Sequence, residues 1–184
     1  MATPDFIVEL RRSIGHAPLW LMGANALVLR GALPDAEVLL VRRSDTGEWS
    51  PISGIVDPGE NPATTAVREA HEEAGVEVEV ERLVWMVVTD PVTYPNGDEC
   101  QFLDHGFRCR WLAGEARVGD DESSAVGWFR VDELPEPRQD RLDAMVRLAL
   151  DDPRDVALSL DAPIGRAAGV RRTNRQSSDS VGLF

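Results

Sequence analysis

Between Gly54 and Val76 the chain reads GIVDPGENPATTAVREAHEEAGV. Gly54, Glu60, Arg68-Glu69, Glu72-Glu73 and Gly75 stand there at set intervals across one turn and one short helix. Asp57-Pro58-Gly59 has tight-turn chemistry, because proline pre-sets one dihedral and glycine supplies the next. Asn61 is a good N-cap, and Pro62 suits the first helical position, where its missing N–H is not needed. Gly75 is a typical helix stop. Ala63, Ala66, Val67, Ala70 and Ala74 recur at helical spacing, a stripe of small residues that lets the helix sit close to its support. Glu69, Glu72 and Glu73 lie on an adjacent face at i, i+3 and i+4. Like charges so placed destabilise a helix by roughly 0.2–0.5 kcal/mol per pair, and Arg68, four residues before Glu72, offsets only part of this. A run of acids is ordinarily a solvated face. Here its register with Gly54, Glu60, Arg68 and Gly75 points to a divalent cation such as Mg2+. Such an ion takes oxygen ligands, keeps some water and bridges carboxylates to phosphates.

The chain has 184 residues, enough for one well-buried domain. Its formal net charge of -13 argues against a general nucleic-acid binder, which wants a basic patch. The two cysteines, Cys100 and Cys109, are too few for a disulfide scaffold or a zinc cluster and are expected as reduced thiols. Met1 to Ile14 holds charges and no long apolar core, and no apolar run approaches membrane-spanning length. The expected address is the cytoplasm, with no membrane partner.

The apolar pattern orders the rest. Phe6, Ile7, Leu10 and Ile14 have helical spacing after Pro4. Trp20 to Arg30 and Glu37 to Arg43 read as strands, and Trp49 to Val56 as a short strand and loop entering the Gly54 stretch. Val76 to Asp90 is a long strand. Asn96-Gly97 signals a hairpin whose return strand is Cys100 to Leu112, with Phe107, Cys109 and Trp111 on one face and Arg108 and Arg110 on the other. Val126 to Val131 reads as a last strand, and Asp140 to Leu150 as a closing helix. From Asp151 apolar spacing weakens, which reads as a tail, partly disordered or lying on the surface, whose Arg171, Arg172 and Arg175 could meet a partner or an anion. Strands on both sides of a packed helix, with a closing helix, imply an α/β sandwich with a mixed sheet.

The Gly54 to Val76 stretch resembles the box of the Nudix hydrolases at all its specified positions: Gly, five residues, Glu, seven residues, Arg-Glu, apolar, any, Glu-Glu, any, Gly, apolar. The resemblance implies a Nudix-type α/β/α sandwich with a mixed β-sheet. It divides the chain into an N-terminal helical extension (1–18), a Nudix domain (19–150) and the tail (151–184). It also implies an Mg2+-dependent hydrolase, Mn2+ being an alternative ion, that cleaves the diphosphate linkage of a nucleoside diphosphate derivative. Dinucleoside polyphosphates or (d)NTPs are alternative substrates. A non-catalytic Nudix domain that binds a ligand and regulates is a further alternative, although such domains commonly lose box residues and this one has lost none. A homodimer is compatible with the family.

By the same resemblance the metal ligands are Glu69, Glu72 and Glu73, with the backbone carbonyl of Ser53. Arg68 would hold the Glu69 carboxylate, Glu60 would anchor the loop to the helix, and Gly54 would permit close approach. The general base is Glu69 in some members and a loop carboxylate in others. Asp120, Asp121 and Glu122 are the loop candidates here, and Glu122 matches the position where many members place an acid. Pro91, sixteen residues past Gly75, is the cue associated with ADP-ribose pyrophosphatases, whereas Tyr94 is close to the position associated with dinucleoside polyphosphate hydrolases. Trp49 and Tyr94 are candidates for base stacking, with a core position the alternative for Trp49, and Arg108 is a candidate substrate contact. A diphosphate meets repulsion from a chain of charge -13, which cations and a few placed arginines relieve locally. Turnover is therefore expected to vanish in EDTA and to return with Mg2+ or Mn2+; full activity in chelator would remove the metal reading.

Overall fold

A computed structural model describes residues 3–151 and 155–157. In chain order the elements are α1 (Asp5–Ile14), β1 (Leu19–Arg30), β2 (Glu37–Arg43), β3 (Trp49–Ser50), β4 (Ile52–Ile55), α2 (Pro62–Ala74), β5 (Glu77–Val88), β6 (Val92–Thr93), β7 (Glu99–Ala113), β8 (Ser123–Arg130) and α3 (Leu142–Leu150). The strands form one mixed sheet with a spine β3-β2-β1-β7-β5, to which β4 adds on β1, β6 on β7 and β8 on β2.

The sheet splits at β1. Strands β1 and β2 pair only at Leu29↔Val38 and Arg30↔Glu37. Below that point β4 takes the edge of β1, from Gly23↔Ile55 to Ala26↔Ile52, and β3 takes the edge of β2 at Val41↔Ser50. The chain changes partner at Pro51, which lies in neither strand, so its missing N–H is not asked for. The wedge delivers Gly54 to the middle of β1, opposite Ala24. On its other side β1 runs parallel to β7 from Leu19↔Cys100 to Leu29↔Arg110.

Both faces are covered. Ala24, Ala26 and Val28 of β1 pack in one core with Ala66, Ala70 and Ala74 of α2. The alternate residues Leu27 and Leu29 pack in a second core with Leu142, Met145, Val146 and Ala149 of α3. A strand buried on both faces reads as a near-continuous apolar run, and β1 is apolar from Leu19 to Leu29 apart from Gly23 and Asn25. The result is an α/β/α sandwich. Helix α1 docks through Ile7 on Leu21 and Cys100, while Leu10 and Ile14 are exposed.

Several boundaries differ from the apolar pattern. Strand β8 begins at Ser123 because backbone pairing with β2 continues past the apolar stretch, through Arg42↔Ala125 to Arg43↔Ser123. Helix α3 begins at Leu142, where its buried face begins. On α2, Val67 is exposed and Thr65 is fully buried instead. The Thr65 hydroxyl can be buried because it donates to Glu60 Oε2 at 2.8 Å. Asn61 stands at the N-cap with no side-chain cap bond, whereas Gly75 is left-handed and its N–H and that of Val76 reach the His71 and Ala70 carbonyls. Most of the expected tail, including Arg171, Arg172 and Arg175, lies outside the described residues.

One buried polar group fastens β1, β5 and β7. The Asp104 carboxylate accepts bonds from Asn25 Nδ2 at 2.6 Å and Trp85 Nε1 at 2.8 Å. The Trp85 indole lies against Gly106 so closely that a Cβ there would stand 1.9 Å from the ring. Gly106→Ala is expected to push the indole away from Asp104 and to destabilise the fold by ~1–3 kcal/mol. Urea denaturation measures this, and an unchanged midpoint would show that the ring shifts without loss.

Candidate active site

Helix α2 is antiparallel to β4 in effect: Glu73 lies by Ser53, Glu69 by Gly54 and Arg68 by Ile55. The Glu69 side chain fills the space above Gly54, where a Cβ would stand 1.9 Å from Oε1. Glycine is required there for close approach, not for backbone freedom. Glu69 is fully buried; its Oε1 accepts from Arg68 Nη1 at 2.8 Å, while its Oε2 has no hydrogen-bond partner. Glu73 is also buried, and the Ser53 N–H bonds to its carboxylate. Glu72 turns outward to the rim and takes a 3.0 Å bond from Arg68 Nη1.

Arg68 organises this corner. Its Nε and Nη2 grip the two oxygens of Glu60, each at 3.1 Å, and Nη2 also reaches the Ile55 carbonyl at 3.4 Å. Glu60 in turn accepts from the Thr65 hydroxyl and, at 3.5 Å, from the Asp57 N–H. One guanidinium therefore ties the turn, β4 and α2 together. The Arg68 bonds hold the Glu60 carboxyl below its usual range.

The two inward glutamates have the opposite problem. Burial pushes Glu69 up to about 7, against the favourable pull of Arg68. Burial, then repulsion from Glu69 and Asp120, pushes Glu73 up to about 8. Asp120 comes into range because the 117–119 segment lies along the end of α2. Arg117 and Gly119 N–H groups bond the Ala74 and Glu73 carbonyls at 3.0 and 2.9 Å. A Cβ on Gly119 would stand 1.7 Å from the Glu72 carbonyl oxygen.

The NUDIX domain family model matches residues 21–149. The chain belongs to the Nudix hydrolase family. It is 33% identical over 119 residues to a MutT-like protein of Streptomyces ambofaciens, covering 65% of this chain and 70% of that one. It is 34% identical over 115 residues to the NAD-capped RNA hydrolase NudC of Pseudomonas fluorescens, covering 59% of this chain and only 36% of that protein's length. Among solved structures, an ADP-ribose pyrophosphatase from Streptococcus suis superposes with a TM-score of 0.55 at 26% identity, over 76% of this chain and 96% of the other.

Nudix proteins generally use divalent cations, and the residues around Gly54 fit one. The donors are oxygens only, and Glu69 Oε2 is a buried acceptor with nothing to accept. Among the described residues no three side chains of ligand type already converge, because Glu72 is drawn aside to Arg68. Mg2+ does not need a full protein cage; one or two carboxylates, waters and substrate phosphates suffice.

The other sequence candidates divide. Trp49 is half-buried and packs edge-on against Phe129, ring centroids 4.7 Å apart, at the margin of the α3-side core. Arg108 is committed to Glu81 at 2.6 Å and to the Ala149 carbonyl at the end of α3, where a cation complements the helix terminus. Glu122 uses its backbone to join loops: its N–H bonds Asp120 and its carbonyl accepts from Ser44. Asp120, not Glu122, is the loop acid whose charge raises Glu73. Tyr94 stands in the β6–β7 hairpin on the rim. Arg43 was not foreseen. It forks onto Asp45 at 2.8 and 2.6 Å and lies within electrostatic reach of Tyr94 and Glu73. Nothing local marks it out from Arg42, since only the path of β2 brings it there.

The raised glutamates predict a pH dependence of the metal-free protein. Their folded values of about 7 and 8 lie above the ordinary 4.5. Proton retention therefore favours the fold fully below about 4.5, and this contribution is lost as pH rises through the folded values. The expected slope is up to ~1.4 kcal/mol per pH unit per group. In EDTA, urea midpoints should fall between pH 5.5 and 8.5; Glu73→Gln should flatten the fall, and added Mg2+ should oppose it. A midpoint independent of pH in chelator would contradict the placement of these carboxylates.

Proposed function

We propose that the chain hydrolyses the diphosphate linkage of a nucleoside diphosphate derivative, ADP-ribose or a close chemical relative, with Mg2+ or Mn2+ bound at Glu69 and Glu73. The observation that carries this is the partnerless Glu69 Oε2, buried and held in position by Arg68 over Gly54. The Ser53 carbonyl and, at the rim, Glu72 would complete the ligand set. A bound divalent cation supplies polarised phosphoryl oxygens and a water of lowered pKa.

The protein's own part is positioning. Arg68 restrains the Glu69 carboxylate with a charge-assisted bond to Oε1, so that little reorganisation is needed during reaction. Arg43, paired with Asp45 and within electrostatic reach of Glu73, would have to exchange that partner to meet a phosphate oxygen, in a chain whose overall field repels anions. Tyr94 flanks Arg43 and is a candidate for the nucleoside end. The proton acceptor is Glu69 or a loop acid, and the field at Glu73 favours Asp120 over Glu122 among the latter.

The substrate class rests on the similarity to the ADP-ribose pyrophosphatase of Streptococcus suis over nearly all of that protein. NudC, whose name refers to an NAD cap, shares the same chemical unit, a nucleoside joined through a diphosphate. The net charge of -13 favours a small molecule over RNA. The similarity to a MutT-like protein keeps (d)NTPs as the second reading.

With Mg2+, the protein should convert ADP-ribose to AMP and ribose phosphate with a higher kcat/KM than NAD, (d)NTPs or dinucleoside polyphosphates. Glu69→Gln should lower kcat by ~10²-fold or more with KM little changed. An equal loss in Asp120→Asn or Glu122→Gln would move the base to the loop. Wild-type turnover in all three variants would leave the box a structural element only.

A further inference from the structure

The hairpin that joins β6 to β7 projects past the end of the sheet. Pairing of β1 with β7 begins at Leu19↔Cys100, so residues 94–99 have no β1 beside them. Strand β6 contributes only the pairs Val92↔Cys100 and Thr93↔Glu99. The turn is closed by the Tyr94 N–H on the Asp98 carbonyl at 2.9 Å and the Gly97 N–H on the Tyr94 carbonyl at 2.8 Å. So short a two-stranded ribbon is marginal in water by itself, and Tyr94 at its start needs support from outside to keep one position.

The end of α1 supplies that support. Arg11 Nη2 donates to the Glu99 carbonyl at 2.9 Å, and Arg11 Nε stands 3.3 Å from Asp98 Oδ1. Nη1 of the same guanidinium donates to the Gly15 carbonyl at 2.9 Å and to the Ala17 carbonyl, closing the chain at the end of the helix. His16 Nδ1 lies 2.8 Å from the same Asp98 oxygen, while Asp98 Oδ2 accepts from Asn96 Nδ2 at 2.9 Å. The Arg11 and Asp98 side chains are only 12% and 19% exposed. Their contact is thus shielded and part of a network, the setting in which an ion pair near a surface is worth most. Helix α1 is itself seated by Ile7 on Leu21 and Cys100. Arg11 and His16 both precede residue 21, where the match to the Nudix domain begins.

The hairpin so held reaches the site. Tyr94 lies within electrostatic reach of Arg43, and Arg43 within reach of Glu73. We propose that α1 belongs to the substrate site: Arg11 and His16 are positioning residues that, through Asp98 and Glu99, fix the hairpin so that Tyr94 meets the nucleoside end of the substrate. This rests on the reading of Tyr94 given under Proposed function. Without the latch, Tyr94 must be ordered each time substrate binds. That cost falls on binding and not on the chemical step at the carboxylates, so it shows in KM and not in kcat.

Tyr94 is the only tyrosine in the chain, so meta-fluorotyrosine gives a single fluorine NMR resonance that reports on it without any substrate. Arg11→Met keeps the side-chain stem and removes the guanidinium; Asp98→Asn keeps the shape and removes the charge. Each should shift and narrow the resonance as Tyr94 gains motion, and should raise KM for ADP-ribose ~2–10-fold with kcat unchanged. Tyr94→Leu should raise KM at least as far, and adding Arg11→Met to it should raise KM no further, because both act at one contact. A variant that merely loses folded protein lowers the apparent kcat and leaves KM alone. A wild-type resonance in both variants overturns the proposal, and so does an altered resonance with KM unchanged. Absence of turnover on every nucleoside diphosphate derivative overturns the substrate reading and the KM arm with it, while the resonance still decides whether α1 orders the hairpin.

Discussion

The Arg68 guanidinium is the interaction on which the rest of the site depends. It bonds Glu60 before α2, Glu69 and Glu72 on α2, and the Ile55 carbonyl at the end of β4. A planar fork with several donors can join three carboxylates in set directions; a lysine ammonium, a point charge on a flexible stem, would not fix the same geometry. Without it, a corner holding two buried glutamates would have no cation at its centre.

That corner is built against the ordinary preferences of a fold. Glu69 and Glu73 are buried in a chain already rich in acid, and burial raises both. The close approach of Gly54 and of the alanines on α2 makes this possible, since small residues bring helix and wedge together with no room for water to reach Glu69 Oε2. A site so arranged favours a cation that restores the lost solvation. The same arrangement spends stability on function, the usual bargain at a reactive centre.

Legibility in the sequence followed the range of the interactions. The turn, the helix and its glycine stop were readable because their causes lie within a few residues. The Arg68–Glu72 contact was readable as an i, i+4 pair. The packing of Trp49 was not, because an amphipathic ring serves a core or a ligand equally, and its partner Phe129 lies eighty residues on. Arg108 alternates with apolar neighbours like a surface residue, yet the end of α3 claims it. Arg43 and Asp120 gave no local signal: one reaches Glu73 through the run of β2, the other through backbone bonds between the 117–119 segment and α2.

The sequence by itself determined the family, the sandwich, and the set of carboxylates and glycines around Gly54. Those depend on spacing along a turn and a helix, and spacing is written in the chain. Only the tertiary structure decided which of the three glutamates turn inward, which loop acid faces them and which arginine stands near. These outcomes follow from where β4 wedges beside β1 and where the 117–119 segment crosses the end of α2. Both are contacts between residues distant in sequence, whose energies no local pattern records.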